Sequence, residues 1–294
     1  MTVNVADGLT VTTSAATAPV ARRRNGRTIR PAVWLSAAIL VLVVAWAVAP
    51  SVFTTGTPFD TNIEAAVQAP SLHHWFGTDA SGRDIYTRVV FGARSSLLIG
   101  TGATTLALVA AIAFGFAAGL GGRLTDGAIS RFLEVLLALP GLLLALVFIA
   151  VLGPGVGTEI VAVALGSAAG YAWMVRGQVI AVRGSGYVSA ATALGHSRSR
   201  IIAQHVFPNA MRPLVVLATM GVGQSIVWSS SLSFLGLGVA PPAPEWGAML
   251  DAGRDFVSTA WWLELFPGLA IVGCTLAVTV LGRHAQQRLE GRLA

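Results

Sequence analysis

Six apolar runs govern what this chain can fold into. They lie near residues 33–53, 96–120, 130–152, 156–175, 211–237 and 261–282 of the 294. Each is about as long as a helix that crosses a hydrocarbon layer of ~30 Å. Inside lipid the backbone N–H and C=O groups find no water, so a run of this kind must satisfy them within itself, as a helix. The expected fold is therefore all-α: a polytopic integral membrane bundle of about six transmembrane helices. Composition agrees. Only 11% of the residues are charged, against roughly 25% in a soluble domain.

The charges that remain are informative. All 19 basic side chains are Arg, and the sequence contains no Lys. A phosphate-binding loop of the Walker type needs a Lys on the phosphates, and a Schiff-base enzyme needs one as its nucleophile. Both are excluded. The formal net charge of +6 need not signify nucleic acid, because the Arg residues flank the apolar runs. With the N-terminus in the cytoplasm, that side holds Arg22, Arg23, Arg24, Arg27, Arg30, Arg123, Arg131, Arg176, Arg183, Arg198, Arg200, Arg212, Arg283, Arg288 and Arg292. The outer side holds Arg83, Arg88, Arg94 and Arg254. This asymmetry selects an orientation with both termini cytoplasmic. Residues 1–30 read as a disordered cytoplasmic tail, followed by a membrane domain over 31–294. The first run is long enough to span and lacks a small-residue cleavage site, so it reads as an uncleaved helix rather than a signal peptide.

Three longer polar segments separate the runs: 54–95 and 238–260 on the outer side, and 176–210 on the cytoplasmic side. The last reads as a short helix, a break at Gly195, and a second short helix starting near Ser197 or Ser199, ended by Pro208 with Asn209 capping the next span. Val188, Ala191, Leu194, Ile201, Ile202, Val206 and Phe207 give it an apolar side, which in water requires a partner to cover it. Gly115–Gly119 and Gly166–Gly170 are small-xxx-small steps that allow close helix approach. Pro140-Gly141 and Pro213 should kink or interrupt their spans.

Other candidate sites read blandly. Cys274 lies in an apolar run as a small hydrophobe. His73 and His74 are adjacent, point different ways and have no cluster around them, so no metal site is expected. Asp79, Arg83 and Asp84 read as a local framework of ion pairs and hydrogen bonds rather than a catalytic set. Glu134, near the end of the third run, is an intramembrane acid in want of a partner, for which Arg131 or Arg176 would serve. His196 and His205 fall in the 176–210 segment as interface or capping groups. No catalytic residue is expected: there is no Gly-x-Ser-x-Gly elbow and no His-Glu-x-x-His pair.

Ser189-Ala190-Ala191, Gly195 and Pro208 resemble the coupling loop of ABC importer permease subunits. That pattern runs Glu-Ala-Ala, three residues, Gly, nine residues, then Ile-x-Leu-Pro. Ser189 stands where it has the acid, His205 where it has Ile and Phe207 where it has Leu. Phe76-Gly77-Thr78-Asp79, Gly82, Arg83 and Asp84 are similar to an outer motif of the dipeptide, oligopeptide and nickel branch. Gly236, Gly238, Pro241, Pro242 and Glu245-Trp246 resemble that branch's outer loop, and the Phe266-Pro267-Gly268 opening of the last span favours its C-type permease.

The resemblance implies a subunit of the bacterial cytoplasmic membrane that forms half a channel with a homologous but different permease. Two cytoplasmic subunits would bind ATP and Mg, an extracytoplasmic binding protein would deliver substrate, and this chain would hold no cofactor. Small peptides are the first expected substrate and nickel complexes the second. The loop, with Tyr187, Ser189, Ala190, Ala191, Leu194, Gly195, His205, Phe207, Pro208 and Asn209, would dock on the ATPase. The rival classes are a membrane-embedded enzyme and a scaffold protein; the first lacks a polar catalytic set, and the second leaves the loop spacing unexplained.

Overall fold

A computed structural model describes residues 31–290, and every element in them is helical. The chain runs α1 (Pro31–Val48), α2 (Ile85–Leu120), α3 (Arg123–Ala138), α4 (Gly141–Leu152) and α5 (Val156–Arg183). It continues through α6 (Gly186–Ala193), α7 (Arg198–Ile201), α8 (Phe207–Phe234), α9 (Trp246–Gly253) and α10 (Trp262–Glu290). The tail expected over 1–30, and Arg292, lie outside the described residues.

Five helical stretches are long and apolar enough to cross a membrane, and α3 with α4 makes a sixth that bends by 89° at its break. The bend falls at Leu139-Pro140, where the proline ring excludes the helical path of the preceding turn. The run 130–152 is thus divided between two helices, the first amphipathic and beginning at Arg123. Helix α2 begins at Ile85, eleven residues before the apolar run. Arg88 and Arg94 hid that extension from a hydropathy reading; Arg88 is buried, held by partners described below.

The most extensive packing joins α2 to α5. A Cβ at Gly115 would lie 2.5 Å from Val175 Cβ, and one at Gly119 would lie 2.6 Å from Val179 Cγ1. These two glycines let the helices meet backbone to side chain, as the small-xxx-small reading expected. The Gly166–Gly170 step divides: Gly166 takes the ring of Trp228, while Gly170 faces open space. Helix α1 buries only Ser36 and Val43, so its remaining apolar surface is left for lipid or a partner.

Helices α7 and α8 form one continuous helix, Arg198–Phe234. Pro208 was expected to end the short helix, and it does not. Residues Ile202–Val206 form a π turn in which the Phe207 N–H reaches the Ile202 carbonyl. That wider turn seats the proline ring and the missing N–H without breaking the rod. Asn209 does not cap: its Nδ2 donates to the His205 carbonyl at 2.6 Å.

Candidate functional site

Helix α6 ends in a Schellman closure: the Gly195 N–H bonds the Thr192 carbonyl at 3.0 Å, and the His196 N–H bonds the Ala191 carbonyl at 3.2 Å. Gly195 has φ +77°, and a Cβ there would meet nothing within 4 Å. Its requirement is one of backbone conformation, not of space. Ser197 then caps α7, its Oγ accepting from the Arg200 N–H at 3.4 Å.

The apolar residues of this segment point two ways. Val188, Ala191, Ile201 and Val206 are buried against Leu133, Val175 and Val179 of the chain's own helices. Ala190, Phe207, Tyr187 and Leu194 are exposed, Leu194 to 76%. The single apolar side expected from sequence is therefore split. In particular Ala191, expected to face a partner, belongs to the chain's core. Tyr187, His196 and His205 gather at one place: His196 and His205 lie parallel with ring centroids 6.3 Å apart, and Tyr187 is 6.3 Å from His205.

The arginines beside the loop hold the ends of helices. Arg183 donates to the Gly119 carbonyl at 3.2 Å and Arg198 to the Leu120 carbonyl at 2.9 Å, both at the negative C-terminal end of α2. Arg176 makes a two-pronged pair with Asp126 of α3 at 2.6 and 2.8 Å, and its guanidinium lies 5.0 Å from the Trp173 ring. Glu134 therefore takes the other of its two candidate partners, Arg131, at 3.0 Å on an exposed face of α3.

Among the described residues the fully buried acids are Glu159, which the sequence reading passed over, and Glu245, which it took only as part of the outer-loop motif. Glu159 on α5 accepts from Ser229 Oγ at 2.6 Å and Ser233 Oγ at 3.1 Å. Glu245 caps α9 through the Gly247 and Ala248 N–H groups and accepts from Ser96 Oγ at 3.0 Å. The available signal was the spacing of Ser229 and Ser233, four apart and hence on one face of a helix.

At the opposite end of the bundle, Asp79 is a hub. Its carboxylate accepts from the Ser81 and Arg83 N–H groups at 2.8 and 3.0 Å and from Arg83 Nε at 2.7 Å, with Arg88 Nε at 3.7 Å. Arg88 also donates to the Pro58 and Pro242 carbonyls, which ties the 54–95 segment to the 238–260 segment. Asp84 caps α2 through the Thr87 N–H at 2.8 Å and bonds His74 Nδ1 at 3.0 Å. Thr78 accepts from the Gln68 N–H at 2.8 Å, and its carbonyl takes Trp262 Nε1 at 3.1 Å. Phe76 stacks on Phe266 at 3.9 Å. Gly77 and Gly82 have φ +75° and +73°, and a side chain on Gly82 would collide with the Asn62 carbonyl. Trp246 is fully buried and donates to the Val89 carbonyl at 2.9 Å. Gly236, at φ +76°, closes α8 in the same manner as Gly195 closes α6, and Gly238 packs on Ser233. Among the described residues no three His, Cys, Asp or Glu side chains come together as metal ligands.

Residues 111–294 match the family model described as "Binding-protein-dependent transport system inner membrane component". The chain belongs to this family of permease subunits. Like its family, the permease is a multi-pass protein of the inner membrane whose role is transport rather than catalysis. The dipeptide transport system permease protein of Alkalihalophilus pseudofirmus is 39% identical over 255 residues, covering 87% of this permease and 84% of that one. The glutathione transport system permease protein of Salmonella typhimurium is 39% identical over 241 residues, covering 81% and 80%. An inward facing structure of the MetNI methionine ABC transporter shares the fold, with a TM-score of 0.57 at 16% identity, covering 69% of this permease and 96% of that chain.

Proposed function

We propose that this permease is half of the channel of an ATP-driven importer of small peptides, and that α6–α7 is the part that docks on its ATPase. The observation that carries the reading is the split loop. One face of α6 is anchored in the permease's own helices, while Tyr187, Ala190 and Leu194 stand exposed beyond them. An apolar tip on a rigidly held turn is built for a partner. A homologous second permease completes the channel, two partner subunits bind ATP and Mg, and an extracytoplasmic binding protein delivers substrate. The Arg asymmetry supports both termini, and α6–α7, on the cytoplasmic side.

The outer framework centred on Asp79 and Arg88 shapes the mouth that meets the binding protein. Peptides are favoured as substrate because relatives at 38–39% identity include permeases named for dipeptide, peptide and glutathione transport, and glutathione is itself a tripeptide. The test is uptake by proteoliposomes holding both permeases and the ATPase pair, supplied with the binding protein. ATP-dependent accumulation of a labelled dipeptide, competed by unlabelled di- and tripeptides, is expected. Transport that no peptide competes would remove the substrate assignment.

A further inference from the structure

Residues 176–210 contain four arginines, two histidines and not one Asp or Glu. Among the described residues, Arg176 alone of these arginines meets a carboxylate. Arg183 and Arg198 bond carbonyls, and Arg200 donates to Gln204 Oε1 at 3.1 Å. A guanidinium has five N–H donors, and each of these three leaves most of them unused. Arg183 and Arg198 both line a cleft of about 390 Å³ that Ser189, Thr192 and His196 also line. His196 Nδ1 is enclosed there with no hydrogen-bond partner among the described residues. Ser189 and Thr192 direct their hydroxyl protons to the Ser185 and Val188 carbonyls, so neither opposes the positive charge of the cleft.

Resting on the docking assignment above, we infer that the ATPase surface receiving α6–α7 is acidic, and that one of its carboxylates enters the cleft between Arg183 and Arg198 beside Ser189. The loop pattern this segment resembles has an acid where this chain has Ser189, so no acid of the permease's own loop offsets the two arginines. Charge complementarity calls for an anionic occupant. The exposed Leu194, Ala190 and Tyr187 on the same unit call for one with an apolar surface beside its carboxylate, which a protein cleft offers and a lone headgroup does not. Guanidinium and carboxylate match as planar, two-pronged partners. The contact should weaken with salt, as a partly exposed charge pair does.

The experiment titrates the assembled permease pair, in phosphatidylcholine nanodiscs, with the purified ATP-binding subunits. Ser189 is exposed on α6, so Ser189→Glu is tolerated by the fold, and co-purification with the second permease confirms it. The added carboxylate occupies the basic cleft and opposes the incoming one. Affinity for the ATPase should fall at least about tenfold at low salt, the scale of a misplaced like charge at an interface. Arg198→Gln, which keeps a donor for Leu120, should lose affinity in the same direction. Leu194→Asp reads docking itself and should also weaken binding. If Leu194→Asp weakens binding but Ser189→Glu matches or exceeds the parent, the charge assignment is overturned and docking stands. If neither moves the affinity, the docking assignment fails first. An effect of Ser189→Glu confined to discs containing phosphatidylglycerol gives the cleft to lipid and also overturns the inference.

Discussion

Asp79 and Asp84 are five residues apart and both ionic, yet their consequences differ. Asp79 is buried with Arg88, and its carboxylate holds Arg83 as well. Removing one partner of such a group leaves charge buried without compensation, at a cost of about 3–5 kcal/mol. Asp84 caps a helix and touches a half-exposed His74. Losing a cap costs about 1 kcal/mol. We therefore expect Asp79→Ala to abolish assembly of a monodisperse complex, and Asp84→Ala to lower its thermal midpoint modestly. Equal midpoints for the two variants would refute this ranking. Sequence alone identified the pair as a framework, because the residue types and their closeness suffice for that. It could not rank them, because burial by Arg88 depends on Pro58 and Pro242, which lie 30 and 154 residues from it. Ala191 teaches the same lesson. It shares a helix with Ala190, but one position of helical phase sends it into the core, so Ala191→Trp tests folding rather than docking.

At the level of elements, two glycine predictions separate space from conformation. Gly195 needs φ > 0 and has open surroundings. Gly195→Asn, which tolerates the left-handed region, should retain most transport-coupled ATP hydrolysis, whereas Gly195→Val should lose it while still inserting. Loss in both would point to a steric role that the surroundings do not explain. Gly115 is the converse, helical in conformation but crowded by Val175. Gly115→Val should cost about 1–3 kcal/mol through overpacking, read as lower yield of folded protein in detergent. A yield equal to the parent's would show that α2 and α5 are not tightly pressed at this point. The spans themselves were legible, since hydropathy over twenty residues averages out local exceptions. Their ends were less so: α2 carries Arg88 inside its first turns, and the α7–α8 junction hides a π turn that accommodates Pro208. Both depend on partners or geometry that a running average does not register.

For the whole molecule, the expected topology can be checked with one thiol. Cys274 is the sole cysteine and is fully buried, so a Cys placed at exposed Ser199 reports over a low background. Labelling by a membrane-impermeant maleimide should require permeabilised cells; ready labelling of intact cells would place α6–α7 outside. The continuous helix Arg198–Phe234 gives that topology a mechanical meaning. Thirty-seven residues at 1.5 Å each make a rod of ~55 Å, against a hydrocarbon layer of ~30 Å. Its foot lies at the basic cleft and its head is pinned through Ser229 and Ser233 to Glu159. A rod held this way would act as a lever. Tilting it by about 5° about its midpoint swings each end by ~2.4 Å in opposite directions, more than enough to part a hydrogen bond at the head. Pro208, Pro213 and the π turn lie in the lower part of the rod, so fewer regular backbone hydrogen bonds hold that part than the upper arm.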